Sequence, residues 1–272
     1  MSKDILNLPY SKELPEFYTD PLSDFYLRVR ELVNYTGEII VMAFNSDAYE
    51  SIDIIEPEFN FETKDIESSL NIPQIKIISE KQKSLKEKMI KRLFYTSLTQ
   101  LVGHYEKFLW ELGWDIYYFN DILKKSKKKF TASRIAKFDN YDELKDDIIC
   151  ELLTNLMMKP YTKIVSQYES RFHIGIHKKA PISLEVVSNL IQLRHVIVHN
   201  EGHASKKYLT KMSNYDKEDI PKMLQKRYES VDIDFQWYFE MCKLLLDLGD
   251  HIDQQARKRW KTSADIGRCQ LD

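Results

Sequence analysis

Apolar positions recur every three or four residues along most of this chain, and that period predicts helices. The longest run follows Ser79, which with Gln82 makes a capping start. From there Leu85, Met89, Leu93, Leu98, Leu101, Tyr105, Phe108 and Leu112 hold one apolar face over about thirty residues. Gly113 leaves two outcomes open, a bend or a continuation through Trp114–Ile122. Asn140 with Glu143 starts a second helix, which runs to about Met158, where Lys159-Pro160 ends it. A third fits Thr162–Ile174. Pro181-Ile182-Ser183 introduces a fourth, with Leu184, Val187, Leu190, Ile191 and Ile197 facing inward and Gly202 at its end. Residues 203–231 are polar and interrupted by Pro221, which predicts a long connection with one short helix. Asp234 then caps a final helix bearing Phe235, Tyr238, Met241, Leu245, Leu248 and Ile252.

Ahead of Ser79 the pattern changes. A proline-punctuated arm leads to Leu22, Phe25, Val29, Leu32 and Val33 at helical spacing, with Gly37 as the stop. Glu38–Phe44 (EIIVMAF) and Ile75–Ile78 read as short strands. The expected fold is therefore mainly α: a helical bundle over residues 76–272, preceded by a small acidic α+β extension over residues 1–75. Only 7 of the 272 residues are glycine, which suits long helices and few tight turns. Hydrophobic residues make up 43% and charged residues 30%, enough for a core and against wholesale disorder.

Charge sharpens the division. Residues 1–73 carry 5 Lys/Arg and 15 Asp/Glu, a net of −10, whereas the remainder carries 35 and 27, a net of +8. The basic part suits a polyanion such as nucleic acid. Its densest runs are Lys124, Lys125, Lys127, Lys128 and Lys129 (KKSKKK), and Arg257, Lys258, Arg259 and Lys261 within ARKRWK. Either run would equally serve as a solvated helix end. The longest stretch without Asp, Glu, Lys or Arg is Leu93–Tyr105, too short for the roughly 20 residues of a membrane helix. The N-terminus lacks the apolar centre of a signal peptide. Cys150, Cys242 and Cys269 are widely spaced and odd in number, so they suggest neither a disulfide framework nor a zinc pattern, and read as small buried hydrophobes. These features predict a cytoplasmic protein with no membrane partner.

The chain has no Walker A loop, no His-Glu-x-x-His and no Gly-x-Ser-x-Gly. Its exceptional stretch is Leu193-Arg194-His195-Val196-Ile197-Val198-His199-Asn200-Glu201-Gly202-His203, which holds three of the seven histidines. Arginine offers phosphate a fixed cation with a fork of donors. Histidine donates or accepts a proton near neutral pH. Together they make the minimum kit for cleaving RNA without a metal: a base for the 2′-OH, an acid for the leaving 5′ oxygen and a cation for the phosphorane charge. Arg194 and His199 are five apart, about 140° around a helix and about 7.5 Å along it, so they do not share a face. His195 and His199, four apart, do. Other readings stay open. A helix C-terminus favours cations by its dipole alone. His195, His199 and His203 also have the i, i+4, i+8 spacing of metal ligands, although Gly202 should end the helix before His203. Trp110, Trp114, Tyr117, Tyr118 and Phe119 are either core or dimer-interface aromatics or a base-stacking run. His173 and His177 read as ordinary surface histidines.

Arg194-His195-Val196-Ile197-Val198-His199-Asn200 resembles the R-x4-6-H signature of the HEPN superfamily. The His199-Asn200-Glu201-Gly202 ending is similar to the branch called RiboL-PSP-HEPN. His104-Tyr105-Glu106-Lys107-Phe108-Leu109 resembles the FExFL element of the first long HEPN helix, with Tyr105 in the aromatic place. The likeness covers about residues 80–255 and leaves out 1–75. It implies an α-helical bundle that pairs into a homodimer, with two motifs facing each other in one composite site. On that likeness Arg194 binds the scissile phosphate, His199 transfers protons, His195 positions substrate or the arginine, Asn200 holds His199, and Glu106 supports the site. The activity implied is a metal-independent, cofactor-free endoribonuclease that leaves 2′,3′-cyclic phosphate ends on its RNA substrate. Toxin–antitoxin systems and antiphage defence are its implied settings. Restraint would come from an antitoxin or other inhibitory partner, or from the acidic segment 1–73. The alternative is a catalytically silent module of the same fold that binds RNA, a nucleotide or a protein partner.

Overall fold

The computed structural model describes residues 19–45, 80–123, 130–200, 233 and 235–263. The protein is mainly helical: 80% of the described residues are in helices, and no strand occurs among them. In chain order the elements are α1 (Asp20–Asn45), α2 (Glu80–Phe119), α3 (Ala132–Ile135), α4 (Tyr141–Met157), α5 (Tyr161–Gln167), α6 (Leu184–Asn200) and α7 (Phe235–Arg257), with a wider π-type turn at Tyr168–Phe172 following α5.

The predicted helices are found close to their expected bounds, and α4 is the clearest case. Asn140 accepts from the Glu143 backbone N–H at 2.9 Å, and the Glu143 carboxylate accepts from the Asp139 N–H at 3.1 Å. This reciprocal cap was readable because it is entirely local. At Gly113 α2 continues without a break to Phe119. The glycine's role is close packing: a Cβ there would lie 2.7 Å from Leu153 and 3.0 Å from the Tyr168 hydroxyl.

The N-terminal expectations need correction. α1 runs through Gly37 to Asn45, so Glu38–Phe44 is helix and not strand. A short β-branched apolar run does not by itself distinguish the two. Here the helical stripe is already in register, since Val33 and Thr36 are buried. Thr36 also bonds back to the Leu32 carbonyl at 2.7 Å and across to Ser97 at 2.8 Å. An interior glycine costs about 1 kcal/mol, which such packing offsets. The expectations for Ile75–Ile78, Ser79, residues 203–231, Asp234 and Cys269 lie outside the described residues.

Contacts group the chain into two units, and among the described residues the limits between them fall inside α1, α2, α6 and α7. The first comprises Met1–Leu14, Leu27–Val102 and Gln192–Lys243. Its buried side chains include Val29, Leu32, Val33, Leu98, Leu101, Leu193, Val196, Ile197 and Met241. Phe94 meets Tyr238 at 5.7 Å between ring centres. The second comprises Pro15–Tyr26, Gly103–Ile191 and Leu244–Asp272. There Phe25 stacks on Phe108 at 5.3 Å and tilts against Tyr105 at 6.2 Å. Gly249 lets α7 approach Phe25 and Leu22, whose carbons would lie 3.1–3.2 Å from a Cβ. Thr19 starts α1 and bonds to the buried Asp253 of α7. Burial pushes the Asp253 carboxyl above its ordinary value, and Thr19 and Arg257 pull it back.

Candidate functional site

The last two turns of α6 divide cleanly by face. Leu193, Val196 and Ile197 are buried, at spacings that put them on one side. His195, Val198 and His199 occupy the exposed side, and Arg194 sits half-buried on the flank. The helix is regular to Asn200, so Arg194 and His199 keep the five-residue offset of the sequence, about 140° of rotation. What the fold does bring together is the histidine pair. The rings of His195 and His199 lie parallel to within 17°, their centres 5.7 Å apart. Asn200 is the final residue of the helix, and Gly202 and His203 lie outside the described residues.

The other expected residues belong to other elements. Glu106 is half-buried on α2, in the second unit, while the end of α6 belongs to the first. Its neighbours in the same motif are structural: Tyr105, Phe108 and Leu109 are buried. Lys107 pairs with Asp24 at 2.8 Å and Glu111 at 2.6 Å. In the C-terminal basic run Lys258 and Arg259 are exposed, but Arg257 is not available to a ligand in the same way. Its Nε forms an ion pair at 2.7 Å with Asp253, whose side chain is 0% exposed. Trp260 donates its indole N–H to the Phe172 carbonyl at 2.7 Å and anchors this run. Lys124, Lys125, Lys127, Lys128 and Lys129 lie outside the described residues.

The aromatic run finds its partners within the fold. Trp114 stacks on Tyr118 with ring centres 4.4 Å apart, and Phe119 meets both edge-on. The Lys145 ammonium covers the Tyr118 ring at 4.3 Å, and Tyr117 is buried against Phe172. Among the described residues no group of three or more His, Cys, Asp or Glu could hold a metal ion. Nor is any helix among them long and apolar enough to cross a membrane.

Two expectations about ordinary residues change. Cys150 is exposed; Cys242 is buried as expected, and burial pushes its thiol up to about 12. His173 is exposed, whereas His177 is a half-buried member of a hydrogen-bonded chain. Its Nδ1 faces the Ile182 carbonyl at 3.0 Å and its Nε2 faces the Tyr161 hydroxyl at 2.8 Å, which in turn meets the Tyr105 hydroxyl at 2.8 Å. A carbonyl only accepts, so Nδ1 carries the proton in the neutral ring. Nε2 must then accept from Tyr161, and Tyr161 from Tyr105. Burial holds both phenols above their ordinary value, and so keeps them neutral donors. No sequence signal pointed to this chain, because its members come together only through the fold.

The described residues define a mainly helical protein with a helix end that exposes His195 and His199 beside the half-buried Arg194. No family model matches the chain, and neither a curated protein nor a solved structure matches it.

Proposed function

We propose that this protein is a metal-independent endoribonuclease of the HEPN type, acting as a homodimer through Arg194 and His199. The observation that supports the reading is the placement of the motif. Arg194, His195 and His199 all stand clear of the buried face at the end of α6, where a polyanion can reach them.

The chemistry follows from the side chains. The ribose 2′-oxygen attacks its own phosphorus while His199 takes the hydroxyl proton. The bond from phosphorus to the 5′ oxygen breaks, and a second imidazole returns a proton to that oxygen. The products are a 2′,3′-cyclic phosphate and a 5′-hydroxyl. One face of one helix end supplies only His195 beside His199, so a second copy of the chain is the natural source of the second catalytic imidazole. Arg194 neutralises the charge that builds on the phosphorane. His195 positions the substrate, Asn200 orients His199, and Glu106 has a supporting role. A toxin or antiphage effector held in check by an inhibitory partner is the setting that this activity fits.

The test is cleavage of total tRNA and mRNA by purified protein in excess EDTA. Wild-type protein should make cyclic-phosphate ends. Arg194→Ala and His199→Ala should each lower the rate by about a hundredfold or more. Intact RNA with all three proteins, together with RNA binding that survives His199→Ala, would instead identify a silent binding module.

A further inference from the structure

We propose that His195 and His199 form a two-nitrogen chelating site for a divalent transition-metal ion of the zinc, nickel and copper class, and that its occupation switches His199 off. The inference about His199 rests on the ribonuclease reading; the ion site itself does not.

Three observations carry it. The two imidazoles are four residues apart on a helix that stays regular through Asn200, so both project from one face. Both are exposed, so an ion reaches them from solvent without opening the fold. The third is the ring geometry. An imidazole nitrogen binds zinc at about 2.0–2.1 Å, which puts each ring centre about 3.2 Å from the ion. Two such rings at a tetrahedral angle would have centres about 5.2 Å apart. The observed separation is 5.7 Å, close to that value, with the ring planes 17° apart. Rotation about the side-chain torsions of the two exposed residues turns a nitrogen of each ring toward one ion, with no movement of the backbone.

The chemistry of the donors selects the ion. Neutral imidazole suits zinc, nickel and copper, whereas magnesium and calcium prefer oxygen. Two protein ligands are fewer than the three or four that hold a resident zinc ion, so water completes the shell and the ion exchanges. That makes the site a brake, distinct from a cofactor centre. An ion on the His199 imidazole occupies the lone pair that would take the 2′-OH proton. It also places a dication where the substrate phosphate must settle, and so ties the phosphate down in the wrong place.

The experiment has two arms on the full chain. In the first, zinc chloride is titrated into metal-free wild-type protein, His195→Gln and His199→Gln by calorimetry. Because the pair acts as a chelate, either substitution should weaken the strongest binding step by about tenfold or more. Both side chains are exposed, so neither change disturbs the core, and the helical circular dichroism should be unaltered. Wild-type affinity retained in either variant would overturn the site. In the second arm RNA cleavage is followed as zinc is added after EDTA is removed. Cleavage should fall with a midpoint at the measured dissociation constant, and excess EDTA should restore it. Zinc binding at the pair that leaves cleavage unchanged would overturn the brake. Protein that binds zinc there but never cleaves RNA, even in EDTA, would overturn the ribonuclease reading and leave the ion site standing.

Discussion

His177 shows how much a single side chain depends on its surroundings. Burial lowers its proton affinity below the ordinary 6.5, against the opposing pull of the Ile182 carbonyl and Glu185, while His251 adds to the lowering. Protonation would also place a second N–H against Tyr161, forcing that hydroxyl to turn toward Tyr105 and leaving the Tyr105 proton to find another acceptor. As pH falls, the unfolded chain therefore takes up this proton first. The contribution of His177 is whole above 6.5 and is lost as the pH drops from there toward the folded-state value. Asp115 and Asp253 have the opposite sign. Their carboxyls are raised by burial, so their contribution is whole below 3.8 and is lost as pH rises through the folded-state values. Comparing variants separates the two effects. The urea midpoint of wild-type protein should decline on acidification below 6.5, and His177→Gln should flatten that decline. An unaltered slope in the variant would assign the proton uptake to another group. No local pattern along the chain pointed to this role. Tyr105 and Tyr161 are 56 residues apart, so their pairing belongs to the tertiary fold and to no local pattern. The α6 motif, by contrast, was readable because every member lies within one or two helical turns.

At the scale of the helix, two glycines distinguish local propensity from packing. Both occupy interior positions of long helices, where alanine would favour the helix by about 1 kcal/mol. A Cβ at Gly37 would meet nothing within 4 Å. Gly37→Ala should therefore raise stability by about 0.5–1 kcal/mol. A Cβ at Gly113 would press on Leu153 and on the Tyr168 hydroxyl, both 0% exposed. Tyr168 is further fixed by its bond to the Leu109 carbonyl. Neither can retreat into solvent, and overpacking of this kind costs about 1–3 kcal/mol. Gly113→Ala should be net destabilising despite its better propensity. Thermal melts of the two variants should move in opposite directions, and a rise in both would show that the packing of α2 against α4 and the π-type turn gives way easily. The same distinction explains what the sequence concealed in α1. Gly37 and the β-branched run after it read as a stop and a strand because both signals are local. The burial of Val33 and Thr36 and the Thr36–Ser97 bond, which keep the helix going, involve residues far along the chain.

Across the whole molecule, the acidic character of residues 1–73 and the place of α1 in the core have to be weighed together. Under the proposed ribonuclease reading the segment is a candidate restraint, and removing it is the obvious test. Yet α1 lies within it, and Leu22, Phe25 and Val29 are 0%, 1% and 0% exposed. Truncating one aromatic such as Phe25 to alanine costs about 3–5 kcal/mol. A domain holds only about 5–15 kcal/mol in all. Deleting residues 1–73 should therefore abolish the cooperative thermal transition, and any lost activity would say nothing about restraint. Charge can be removed without removing core. The acidic residues between Asp47 and Glu67 fall after α1 and before α2, so replacing them with their amides leaves the buried face of α1 intact. If their charge repels or masks RNA, the amide variant should cleave faster than wild type at low salt. The two rates should converge as salt rises to several hundred millimolar, where exposed charges are screened within a few ångströms. Equal rates at low salt, with an unchanged melting temperature, would exclude charge in this segment as the brake and direct attention to a separate inhibitory partner.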